Sequence, residues 1–101
     1  MVRASLYMKV KKGRGDDFER AWRQIAEEVR KAPGNVRQAL TRDPEDPDSF
    51  VVTSDWEDRE TFHEFETSPE QDDLTEPLRD LRDSARMTVH ELVTHIERGD
   101  D

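Results

Sequence analysis

The sequence predicts an α+β domain of the ferredoxin-like kind, with one antiparallel sheet and its helices on a single face, in the order β-α-β-β-α-β. Three observations carry that expectation. Residues 2–10 alternate apolar and polar without a break, residues 16–31 repeat at helical spacing, and two strand-like runs flank a proline-interrupted acidic loop. The 101 residues are expected to form one domain over 1–101, with a core of about 2–97 and a frayed tail at 98–101.

The first strand places Val2, Ala4, Leu6, Met8 and Val10 on one side and Arg3, Ser5, Tyr7 and Lys9 on the other. Lys11-Lys12-Gly13-Arg14-Gly15 makes a turn, and Asp16 or Gly15 is expected to cap the helix that follows. That helix, 16–31, carries Phe18, Trp22, Ile25, Ala26 and Val29 along one stripe and stops at Pro33-Gly34. With Trp22 facing inward, its truncation to Ala is expected to cost ~3–5 kcal/mol. A second strand at 35–42 alternates imperfectly. The acidic loop 43–48 joins it to a third at 49–56, and the loop's acidic side chains are expected only to keep it solvated.

Residues 49–69, SFVVTSDWEDRETFHEFETSP, are the most informative stretch. Phe50 to Thr53 suit a pleated strand, Trp56 ends it, and Asp58 is placed to cap a short helix bearing Phe62 and Phe65. Pro69 opens another helical segment over 70–83, with Leu74, Leu78, Leu81 and Ala85 as its stripe and Pro77 implying a kink or break. The last strand is expected at 87–96, apolar on both faces and so buried twice over. The sheet's second face lacks a cover within the chain. A homodimer with sheets packed face to face would supply one and form a dimeric α+β barrel.

Charge narrows the partners. Twenty-five acidic residues stand against sixteen basic ones, a net charge of −9, which disfavours nucleic acid and anionic membrane surfaces. The absence of cysteine removes disulfides, thiolate metal sites and cysteine nucleophiles. No signal peptide or bilayer-length apolar run is evident, so a cytoplasmic protein is expected. His90 and His95 are separated by an odd number and would face opposite ways on a regular strand, and His63 sits on the outer side of its helix. No metal site is expected from them.

The element order, the KKGRGDDF turn, the DW at the end of the third strand and the WEDRETFHEFETSP segment resemble the antibiotic biosynthesis monooxygenase (ABM) domain family. The resemblance covers about residues 2–97. It implies a dimeric α+β barrel with a hydrophobic pocket between sheet and helices in each protomer. It also implies cofactor-independent oxidation of an aromatic, anthrone-like polyketide in secondary metabolism, with haem degradation as a further branch. Trp56 and Tyr7 would then be the catalytic candidates, and Trp22, Phe62, Phe65, Val52 and Leu6 the substrate-binding wall. Where family members carry asparagine, this chain has Leu6 and Val52; where the haem-degrading branch carries histidine, it has Phe65. A non-catalytic dimer that binds a hydrophobic small molecule or supports a biosynthetic complex therefore stands beside the oxygenase. Trp56 can equally be a core residue, and Tyr7 an interface phenol with its hydroxyl wet.

Overall fold

The computed structural model describes residues 1–99. Strands β1 (Val2–Val10), β2 (Asn35–Arg42), β3 (Ser49–Trp56) and β4 (Arg82–Glu91) form one antiparallel sheet in the order β2-β3-β1-β4. Helices α1 (Gly15–Val29), α2 (Arg59–Glu66) and α3 (Pro69–Leu81) complete the ferredoxin-like α+β arrangement. Strand alternation aims Val2, Ala4, Met8 and Val10 into the core, where they meet Phe50 and Trp56 from β3 and Phe18, Ile25 and Val29 from α1.

Glycines shape two corners. Gly13 takes φ 78° in the turn after β1, where Arg14 N–H bonds back to the Lys11 carbonyl at 2.9 Å. Gly34 takes φ 85°, and a Cβ there would lie 2.4 Å from Thr61 Oγ1, so its bareness lets the α1–β2 connection press against α2. The Gly34 carbonyl also accepts from Glu57 N–H at 2.8 Å. Neither Asp16 nor Gly15 caps α1 as expected. Arg14 holds the cap position without a side-chain bond, and Asp16 and Asp17 lie in the first turn, where the helix dipole favours carboxylates.

The loop 43–48 is more than a solvated spacer. Asp43 Oδ1 accepts from the backbone N–H groups of Glu45 (2.8 Å) and Asp46 (3.3 Å), and Asp46 binds both Ser49 Oγ and the Lys9 ammonium. Those bonds hold the Asp46 carboxyl down at about 2, the Lys9 contact being the largest cause.

Two expectations about the C-terminal third need correction. Helix α3 runs through Pro77 without dividing, because Pro77 and Asp73 lie on its exposed side, where water can take the carbonyl that loses its partner. The final strand begins at Arg82, five residues early, and ends at Glu91. Leu81 passes straight from helix to strand, its carbonyl accepting from Lys11 N–H at 2.8 Å, and Ala85 pairs with Met8 instead of extending the helical stripe. The strand is not buried on both faces: Met87 and Val89 are each 43% exposed, and Val93 and Ile96 lie beyond it, almost wholly exposed. Of the tail expected to fray, Asp100 and Asp101 lie outside the described residues.

Candidate functional site

Trp56 reaches its position through a chain of local choices. It is the last residue of β3, opposite Val2 on β1 and Asn35 on β2, and alternation turns its ring toward the helices. Its neighbour Asp55 turns the other way and is 1% exposed. Arg3 clasps that carboxylate from β1 through Nε (2.7 Å) and Nη2 (2.9 Å), and Arg37 on β2 approaches to 3.3 Å. The Arg3 hydrogen bond is the main reason the Asp55 carboxyl stays below the usual carboxylate range. Three strands are thereby tied together one residue from the indole.

Asp58 begins α2 as expected, in extended conformation, its carboxylate accepting from Thr61 N–H at 2.8 Å. Phe62 and Phe65 then fall on one side of the helix. Their ring centroids lie 5.7 Å and 4.8 Å from that of Trp56, in tilted arrangements of 56° and 33°. The indole N–H donates to Ser54 Oγ at 3.0 Å, and Trp56 is fully buried. The corner is thus a core element and a wall at once.

The wall encloses a cavity of about 110 Å³ between the sheet and the helices. Leu6, Trp22, Val52, Trp56, Phe62 and Phe65 all line it, so six of the seven residues singled out from the sequence come together. Tyr7 is the exception. It follows Leu6 on the strand and projects from the open face of the sheet, 40% exposed, with the Arg86 guanidinium over its ring at 4.5 Å. Adjacent strand residues alternate between faces, so Leu6 lines this cavity and Tyr7 does not. Trp22 also differs from expectation: it is half-buried, so the full core cost assigned to its truncation is too large.

Sequence reading missed the polar part of the lining: Gln38 on β2, Ser54 on β3, Glu66 at the end of α2, and Gln71 and Thr75 on α3. The signal was present for α3, since Gln71, Thr75 and Leu78 recur at four and three, but the abundance of acid on that helix directed attention to its outer face. The histidines stay outside the cavity. His63 is exposed, with Glu66 at 3.9 Å; His90 is exposed on β4; His95 lies past the strand beside Glu97 at 3.1 Å. With Phe65 on the wall and His63 turned outward, no imidazole faces the indole from α2.

A ferredoxin-like sheet with its helices on one face defines the class, an α+β domain with a small, largely apolar cavity between the two layers. The antibiotic biosynthesis monooxygenase family model matches residues 1–77, and the chain belongs to that family. Over 77 residues it is 34% identical to a protein described as the 42.8 kDa protein in the whiE locus of Streptomyces coelicolor. The match takes in 76% of this chain but 19% of that relative, so the chain spans about one fifth of the relative's length. Among solved structures, SnoaB of Streptomyces nogalater, described as a cofactor-independent oxygenase, superposes with a TM-score of 0.84 at 22% identity, covering 96% of this chain and 97% of that one. A protein of Deinococcus radiodurans described as a putative antibiotic biosynthesis monooxygenase gives 0.83 at 18% identity, covering 99% and 100%. At such identities the superpositions establish the fold. No helix among the described residues is long and apolar enough to cross a membrane.

Proposed function

We propose that this chain is a cofactor-independent oxygenase acting on a hydrophobic, anthrone-like aromatic of polyketide type. The observation that carries the reading is the largely apolar cavity with Trp56 as its buried wall and Phe62 and Phe65 tilted against it. An anthrone loses a proton from its methylene carbon to give a delocalised carbanion, and that carbanion passes electrons to O2. Oxygen adds at the same carbon, and loss of water leaves the quinone carbonyl. Such a substrate supplies its own reducing power, so the protein need only bind it, exclude water and orient it. Leu6, Trp22, Val52, Phe62 and Phe65 serve the binding, and the Trp56 ring stacks on the substrate or relays an electron. Tyr7 takes no part in the cavity chemistry under this reading. It belongs to the open face, where a second copy of the chain packs to form a homodimer in the cytoplasm.

The test follows quinone absorbance after anthrone is added under air. The wild-type chain is expected to exceed buffer and the Trp56→Phe variant. A rate equal to buffer overturns the reading.

A second reading has its own support. Leu6, Val52 and Phe65 occupy positions that the family resemblance makes polar, and the Trp56 N–H is already engaged by Ser54. On this reading the chain binds the aromatic, or serves a biosynthetic complex, without turning it over. Saturable quenching of tryptophan emission by anthrone with no quinone formed is its expected signature. A haem-degrading role would need an imidazole on the α2 wall, and Phe65 stands there. Haemin giving no Soret shift is expected.

A further inference from the structure

We propose that Gln71 is the group that holds the ligand's oxygen atom, and that the site selects a neutral ring system carrying one carbonyl or phenolic oxygen. The inference rests on the reading of the cavity as a ligand site and adds its polar contact and its charge preference.

Most of the cavity's other polar side chains already hold a firm partner. Ser54 Oγ accepts from the Trp56 indole, and Gln38 Nε2 donates to the Ala26 carbonyl at 2.7 Å. Thr75 Oγ1 donates to the Gln71 carbonyl at 2.9 Å and accepts from Arg79 Nη1 at 2.7 Å. Glu66 also lines the cavity, as a half-open carboxylate 3.9 Å from His63, and adds to the negative charge that an anionic ligand meets. Of the two amides in the lining, Gln38 is anchored to a backbone carbonyl and Gln71 is not. The Gln71 Nε2 makes a long 3.4 Å contact with Thr75 Oγ1, and its Oε1 has no hydrogen-bond partner among the described residues. The backbone beneath it is held, because Gln71 N–H is capped by Ser68 Oγ at 3.1 Å in the first turn of α3. A fixed backbone carrying an uncommitted amide suits a positioning group.

Its location supports the role. Val29, Phe65 and Gln71 line both the inner cavity and an outer cleft of about 400 Å³ between the end of α1 and the α2–α3 corner. An apolar cavity of about 150 Å³ takes one benzene ring. The inner 110 Å³ is therefore single-ring space, and a larger ligand would extend past Val29, Phe65 and Gln71 toward the outer cleft, with its middle beside the amide. The outer cleft carries Glu28, Glu64 and Glu70 against Lys31, which already pairs with Glu28 at 3.3 Å. An anionic ligand meets like charge on entry. A neutral amide, able to donate and accept, matches a carbonyl or a phenol.

Trp22 and Trp56 both face the cavity, so quenching of their emission reports binding. Anthrone, kept under nitrogen, and 9,10-dihydroanthracene share one skeleton and differ by the oxygen. Wild type is expected to bind anthrone about 3–10-fold more tightly, the usual yield of one neutral hydrogen bond. In Gln71→Leu and in Gln71→Met that preference is expected to vanish while dihydroanthracene affinity holds. Anthracene-9-carboxylate is expected to bind more weakly than anthrone. If both skeletons bind wild type equally, if either variant keeps the preference, or if the carboxylate binds best, this inference falls while the cavity reading stands. If neither skeleton quenches wild type, the cavity reading falls and takes this one with it.

Discussion

Truncating Trp56 to alanine tests whether the indole is structural wall as well as candidate site. The ring is fully buried and touches Phe62 and Phe65, so the loss combines burial with a cavity the neighbours cannot refill. Large aromatic-to-alanine changes in cores cost about 3–5 kcal/mol. A domain of this size holds about 5–15 kcal/mol in all. At roughly 0.2 kcal/mol per degree, the melting point should fall by about 15–25 °C. Trp22, half-buried on the opposite wall, should lose about 1–3 kcal/mol on the same change, since its ring already meets water. Thermal and urea melts followed by far-UV circular dichroism give both values. A Trp56→Ala loss equal to or smaller than that of Trp22→Ala would refute the packing argument.

Other perturbations probe the elements around it. Asp55→Asn removes the charge that Arg3 and Arg37 clasp, and should cost about 1–3 kcal/mol at neutral pH, measured by urea titration. The Asp55 carboxyl titrates lower in the folded chain than unfolded. Its contribution is thus complete above the unfolded value of about 4 and is lost as pH falls through the folded one. Melts between pH 2 and 5 should show wild type losing its advantage over Asp55→Asn; a constant gap would contradict the linkage. Gly34→Ala should cost more than Gly13→Ala, by about 1 kcal/mol or more, because both sit at positive φ but only Gly34 would strike Thr61. Light scattering at micromolar concentration is expected to give twice the chain mass, and a monomer would count against the barrel.

The strands up to Trp56 were legible because β1 alternates cleanly, β3 carries a β-branched and aromatic run, and Gly, Pro or Asp mark the turns between elements. Helix α2 was legible from Asp58, whose cap needs only local sequence. The fold's last third was harder for a physical reason. Leu81 and Ala85 share helical spacing, yet the chain turns to strand at Arg82 under the pull of β1, a contact more than seventy residues away in sequence. The same non-local pairing brought Val93 and Ile96 out of the predicted strand. The apolar wall of the site followed from one tryptophan and two phenylalanines at helical spacing. Tyr7 stands apart from that wall because adjacent residues of one strand alternate between faces. Which polar lining group is engaged could not be read in advance, because that depends on which carbonyl or hydroxyl the fold sets beside Gln38 or Gln71. The open face is more polar than a dimer core suggests, with Arg3, Ser5, Lys9, Thr53, Asp55 and Arg86 among its side chains. Any second copy there must meet charges in register as well as apolar area.

The central claim is that the space beneath Trp56 is where an aromatic substrate sits. Val52→Trp would fill that space from the sheet side while keeping an apolar residue on β3. The decisive measurement is the rate of quinone formation from anthrone under air, wild type against Val52→Trp, with the variant's fold checked by its circular dichroism. Wild type above buffer and the folded variant at the buffer rate is the predicted outcome. A folded Val52→Trp protein as active as wild type would contradict the claim.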